Sequence, residues 1–268
     1  MLTERLGSRQ DAAVTSEPGP SPLPLSRRLA AELIGTATLV AIVVGSGIMA
    51  QRLTDDVGLQ LLANSLATVF GLAVLIIVLG PVSGAHLNPV VTVAERLLTR
   101  DAAARRPASE VVGYGFAQCT GAIGGALVAN AMFDVAPAIS TTQRHGAGLL
   151  IGEVVATAGL VFMIFALLRS QRAALVPAVV AAWIGSAYWF TSSTSFANPA
   201  VTVGRMFSDT FAGIAPGSVP LFVVAQGVGA VLGIAGVAAF YPVQTTRQVL
   251  DPEMPGELPV AAGRAGSA

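Results

Sequence analysis

Two Asn-Pro pairs carry the chemistry of this chain: Ser83-Gly84-Ala85-His86-Leu87-Asn88-Pro89-Val90 and Ser195-Phe196-Ala197-Asn198-Pro199-Ala200. Asparagine is a preferred helix cap and proline is favoured at the first helical position, so each pair predicts a helix start. The expected helices run from Pro89 to about Leu98 and from Pro199 to about Phe207. At ~1.5 Å per residue each is about 15 Å long, half of a ~30 Å hydrocarbon core. A helix N-terminus carries roughly half a positive charge. Two such ends facing each other oppose a cation that is losing its hydration, and leave a neutral solute unopposed. Asn88 and Asn198 can each turn a side-chain N–H toward a passing oxygen. The residues before each cap run non-helically, so the carbonyls of Gly84, Ala85 and His86, and of Thr194, Ser195 and Phe196, are candidate acceptors along a lumen. Bare backbone at membrane depth is tolerated only where it lines a cavity. A single Asn-Pro pair is ordinary turn punctuation. Two copies in matching halves read as pore motifs, Asn88, Pro89 and Val90 with Asn198, Pro199 and Ala200.

The elements around these motifs are apolar. The chain is 53% hydrophobic and 11% charged, with a mean hydropathy of +0.71 over 268 residues, against about 25% charged in soluble domains. Six stretches are long enough to span a bilayer: about Leu29–Ala50, Leu59–Leu79, Val111–Ala131, Leu149–Leu168, Ala174–Phe190 and Val219–Phe240. They bound a channel domain over 29–241, with one repeat at about 29–131 and a second at about 148–240. The polar, proline-bearing segments 1–28 and 242–268 are expected to be disordered tails. Twelve of the 15 basic residues, all arginines, fall on the side that holds both termini, including Arg27, Arg28, Arg96, Arg100, Arg105, Arg106, Arg169 and Arg172. The positive-inside bias makes that side cytoplasmic in a multi-pass protein of the cell membrane.

Several classes are excluded. A net charge of +0 and the absence of a basic stripe give no reason to expect nucleic acid. The lone Cys119 excludes a disulfide framework. There is no metal-ligand spacing, no nucleophile elbow and no glycine-rich loop followed by lysine, so no metal, cofactor or enzymatic activity is expected.

The halves match beyond the Asn-Pro pairs. Ala31-Glu32 opens span 1 and Gly152-Glu153 opens span 4; Ala117-Gln118 and Ala225-Gln226 recur in spans 3 and 6, each followed by spaced glycines. Three spans per repeat insert the second copy upside down, so the two half-helices re-enter from opposite faces and their N-termini meet. Coupled transporters share that symmetry. Here only Glu32, Glu153 and His86 lie at depth to carry a proton.

The chain resembles the aquaporin and aquaglyceroporin family, the major intrinsic proteins, from about Leu29 to Phe240; Ser-Gly-Ala-His-Leu-Asn-Pro is close to that family's first-loop signature. The resemblance implies an all-α membrane protein of six transmembrane helices plus two re-entrant half-helices, an inverted repeat in an aquaporin-like right-handed bundle. It implies a passive pore per subunit and a homotetramer in the lipid bilayer. It also implies that Glu32 and Glu153 are buried supports of the re-entrant loops, with Gln118 and Gln226 beside them. The residues alone leave open a proton-relay role for both carboxylates.

Three departures bear on substrate. Val90 replaces the alanine of the first motif. Val201 stands where the family usually carries a filter arginine, and Arg205, a turn further on, is expected at the rim or as its substitute. Counting as the family does puts Thr68, Ser186, Ser195 and Val201 at the selectivity filter, with Phe70 replacing Thr68 if span 2 holds an indel. Tyr188, Trp189 and Phe190 are expected to form an interfacial aromatic belt, or else a vestibule lining. Such a filter is wide, neutral and lined by hydroxyls. The run Thr191–Thr202 resembles the bacterial branch of the family associated with arsenical resistance. The expected solutes are glycerol-like polyols and arsenite, As(OH)3, with some water; a water-selective pore and a proton-coupled transporter are the alternatives.

Overall fold

The computed structural model describes residues 23–242. Six of its helical segments are long and apolar enough to cross a membrane: α1 (Leu25–Leu53), α2 (Val57–Ser83), α4 (Ala108–Met132), α5 (Ala147–Arg169), and α6 (Val176–Phe190) and α8 (Val219–Phe240) each together with the 3-10 turn before it, Ala173–Leu175 and Pro216–Ser218. Two short helices, α3 (Pro89–Leu98) and α7 (Pro199–Gly204), start at the Asn-Pro pairs. A 3-10 turn over Arg205–Phe207 completes the second half-helix to the expected residue. The expected tails lie outside the described residues except at 23–28 and at 242. Residues 25–28 are not tail but the first turn of α1, which follows Pro24. That turn is held because the Arg28 guanidinium forks onto Glu110 of α4, with Nη2 donating to Oε2 at 3.0 Å.

Both half-helices begin for the same local reason. The Asn88 side chain accepts from the Val90 N–H at 3.1 Å. Asn198 accepts from Ala200 at 2.9 Å and Val201 at 3.2 Å. Each cap satisfies donors that have no partner in a helix's first turn.

Close approach of helices sets the frame that holds them. On α4, a Cβ at Gly121 would sit 2.2 Å from the Leu33 carbonyl oxygen, and one at Gly125 only 2.0 Å from that of Ala37. Thus α4 lies directly on α1. Gly229 and Gly233 on α8 repeat the arrangement against Val154 and Ala158 of α5, at 2.6 Å each. Small residues that let backbones touch are the main packing device where burial from water offers no drive between helices. The outward faces are apolar: Phe70 is 67% exposed and Phe116 75%.

Candidate solute pathway

Each Asn-Pro pair is presented by a loop in an unusual conformation. Gly84, Ala85 and Leu87 before the first cap have φ of +93°, +46° and +50°; Thr194, Ser195 and Ala197 before the second have +59°, +53° and +45°. Left-handed backbone at non-glycine residues costs about 1–3 kcal/mol each and persists only where the surroundings over-determine it. Glu32 and Glu153 supply that constraint. Glu32 Oε1 accepts the His86 N–H at 3.0 Å and the Ser83 hydroxyl at 2.7 Å, while Oε2 accepts the Leu87 N–H and the Gln118 amide, both at 2.7 Å. Glu153 accepts the N–H groups of Phe196 and Ala197 at 2.9 Å and the Gln226 amide at 2.6 Å. Consecutive N–H groups in such turns form an anion-binding nest, and here a carboxylate from the first helix of each repeat fills it. Gln118 also reaches Thr92 on α3 at 3.2 Å, and Gln226 reaches Thr202 on α7 at 2.9 Å.

The two loops are tied to one another. Asn88 Nδ2 donates to the Ala197 carbonyl at 2.8 Å, and Asn198 Nδ2 donates to the Leu87 carbonyl at 2.7 Å. One hydrogen of each amide is thereby engaged, and the other has no partner among the described residues. The sequence motif showed the caps but not this reciprocal lock, which joins groups more than a hundred residues apart.

A cavity of about 700 Å³ runs past both asparagines. Its wall includes Gly84, Ala85, His86 and Asn88 from the first loop, and Ser195, Phe196 and Asn198 from the second. Leu87 and Ala197 join them, whereas Thr194 stays outside the lining. Val90, Pro89, Pro199 and Ala200 are likewise behind the wall, with Val90 and Ala200 buried in the packing of the two half-helices.

Beyond Asn198 the wall is formed by Thr68, Tyr188, Ser195, Phe196, Val201 and Arg205. Ser186 is not among them. It is exposed on the opposite face of α6, because Pro177, Val180, Ile184 and Tyr188, spaced three and four apart, form the face turned to the cavity. The expectation for Ser186 is therefore corrected to Tyr188, whose hydroxyl lies 3.1 Å from Thr68 Oγ1. The aromatic trio also divides: Trp189 and Phe190 are half exposed, while Tyr188 is buried. Phe70 points outward, away from Thr68. Arg205 is not at the rim but 4% exposed, with its guanidinium 3.5 Å above the Phe196 ring centroid.

At the opposite mouth, His86 and Glu95 line the cavity. His86 Nδ1 is 3.0 Å from Thr92 Oγ1, and Arg106 Nε donates to Glu95 Oε2 at 2.8 Å. This ties the α3–α4 connection to the half-helix. Among the described residues no group of three or more His, Cys, Asp or Glu side chains is placed to hold a metal.

Comparison with known proteins agrees with this arrangement. Residues 21–197 match the family described as Major intrinsic protein. The chain is 49% identical over 216 residues to Aquaglyceroporin AqpS of Rhizobium meliloti (strain 1021), covering 79% of this chain and 88% of that one. It is 31% identical over 200 residues to Aquaporin NIP2-1 of Oryza sativa subsp. japonica, covering 71% and 64% respectively. The X-ray structure of the aquaglyceroporin from Plasmodium falciparum superposes with a TM-score of 0.56 at 19% identity, over 82% of this chain and 97% of that one. With its six membrane-capable helices and paired half-helices, this chain belongs to the major intrinsic protein family of membrane channels.

Proposed function

We propose that this chain is a passive channel for small neutral hydroxylated solutes, glycerol-like polyols and arsenite As(OH)3, with some accompanying water. The observation that carries the reading is the wall beyond Asn198: Val201 at the usual arginine position, beside the hydroxyls of Thr68, Tyr188 and Ser195. Hydroxyls donate and accept in turn, so they replace the water shed by a polyol without fixing its orientation. The facing N-termini of α3 and α7 oppose cations at the middle of the path. The similarity to an aquaglyceroporin supports the same solute class. A homotetramer in the cell membrane with both termini cytoplasmic belongs to the same proposal; the arginine distribution supports the orientation and the family resemblance supports the assembly.

Stopped-flow light scattering on proteoliposomes tests this, comparing glycerol, arsenite and water for the wild type and Val201→Arg. Solute flux that the arginine variant loses supports the reading. A wild type that passes water alone refutes it, and establishes the second reading, a water-selective pore, which Tyr188 in place of Ser186 favours by narrowing the wall. A protonophore is expected to leave solute flux unchanged; collapse of uptake would identify a coupled carrier.

A further inference from the structure

The α7 arm holds a buried cation for which the solute-channel reading has no use. Arg205 is 4% exposed, contributes to the cavity wall beside Val201, and makes no ion pair among the described residues. Its Nε donates to the Ala212 carbonyl, and its planar face stacks on Phe196 at 3.5 Å. These two contacts fix the guanidinium plane, leaving the Nη groups without a hydrogen-bond partner among the described residues. The other arginine near Phe196 behaves differently. Arg144 lies 5.1 Å from the ring, donates to the carbonyls of Gly213 and Phe211, and takes no part in the wall.

Helix geometry explains how a residue one turn late reaches this position. Residues four apart share a face, and Cα–Cβ bonds lean toward the helix N-terminus. A long side chain at 205 therefore folds back over the turn that begins at Val201, whose small side chain leaves room for it. Within the same wall, the Ser195 hydroxyl is buried with no partner among the described residues. Tyr188 and Thr68 hold their hydroxyls against each other.

We propose that Arg205 is the specificity-determining cation of this constriction, supplied from one helical turn beyond the position that Val201 has vacated. Its fork of N–H donors, with the Ser195 hydroxyl, selects neutral solutes that present two neighbouring hydroxyl oxygens, and its charge is the second barrier to protons and cations after the half-helix ends. The inference rests on the channel reading and deepens it: position 201 lacks arginine, but the constriction does not. Arginine differs here from lysine, because only the rigid planar fork can bond two adjacent oxygens at once.

The test uses full-length protein in proteoliposomes, reading 1,2-propanediol against 1,3-propanediol flux and, with an entrapped pH dye, proton flux. Wild type is expected to favour the 1,2-diol and to hold protons near the empty-liposome rate. Arg205→Leu is expected to raise proton flux about tenfold or more, since an unscreened charge in a narrow low-dielectric passage is worth at least that factor, and to lose the diol preference. Arg205→Lys keeps the proton barrier but loses the preference. The exchange Val201→Arg with Arg205→Leu restores the proton barrier, because the charge returns to the same level of the wall. Arg205→Leu with wild-type proton flux and diol ratio overturns the proposal. If that variant does not assemble, Arg205→Lys decides: an unchanged diol ratio overturns it equally. A wild type no faster than empty liposomes for both diols defeats the channel reading itself, before any Arg205 variant is compared.

Discussion

Replacing Glu32 separates a structural carboxylate from a proton carrier. Glu32 is fully buried and receives four donors: the N–H groups of His86 and Leu87, the Ser83 hydroxyl and the Gln118 amide. In Glu32→Ala, Ser83 can rotate and Gln118 keeps Thr92 at 3.2 Å, but the two backbone N–H groups sit in left-handed turns and have nowhere to go. An orphaned buried donor costs about 1–3 kcal/mol, so the loss is about 2–6 kcal/mol. Glu32→Gln keeps one acceptor. Turned so that its oxygen meets Leu87 and Gln118, its amide nitrogen faces Ser83, which can accept, and His86, which cannot. One backbone donor is then lost, and the cost is roughly half that of alanine. The assay is resistance to heat in detergent, followed by size-exclusion recovery, with glycerol flux normalised to folded protein. The expected order of stability is wild type, then Gln, then Ala, with Glu153→Gln falling beside Glu32→Gln because Glu153 supports the mirror loop. Glu32→Gln with wild-type heat resistance and flux, changed only in its response to a pH gradient, would refute this reasoning and make Glu32 a relay.

Other perturbations follow from the same geometry. Gly125→Ala is expected to lower the yield of folded protein more than Gly233→Ala, because its Cβ would lie 2.0 Å from a backbone oxygen rather than 2.6 Å; equal yields by size exclusion would contradict the α1–α4 contact. Tyr188→Ala removes a large buried side chain from the wall beyond Asn198 and should admit five-carbon polyols that the wild type passes slowly, as read by light scattering. Asn198→Asp still caps α7 but sets a carboxylate oxygen against the Leu87 carbonyl, where the amide now donates at 2.7 Å; glycerol flux should fall about tenfold or more, with cation leak in its place. The Thr141 N–H, donating at 2.8 Å, holds the Asp209 carboxyl below its usual range. A depressed carboxylate contributes above its unfolded pKa, about 3.9, and the contribution is lost as pH falls through the lower folded value. Thr141 amide exchange in deuterated buffer should therefore be unchanged from pH 7 to 5 once intrinsic rates are corrected, and its protection should fall below about pH 4.

What could be read from residue order alone is what local physics decides. Asparagine is a preferred cap and proline fits the first helical position, and two such pairs in matching halves made α3 and α7 legible to within a turn. Runs of apolar residues longer than a bilayer are legible for the same reason, as are the paired Glu and Gln that mark the repeat. The rotation of α6 was not legible. The helix is apolar on almost every side, so periodicity does not say which face turns inward, and counting as the family does chose Ser186 where the structure packs Gly185 against Val69 and turns Tyr188 to the cavity. Nor could the sequence show where Arg205 ends: a flexible side chain at a helix terminus reaches the rim or the lumen, and the Phe196 face with the Ala212 carbonyl decides between them. The cross-bonds of Asn88 to Ala197 and Asn198 to Leu87 belong wholly to the tertiary structure. They require two loops to meet tip to tip, and that depends on α1 and α4 closing as tightly as α5 and α8, a condition set by backbones in contact.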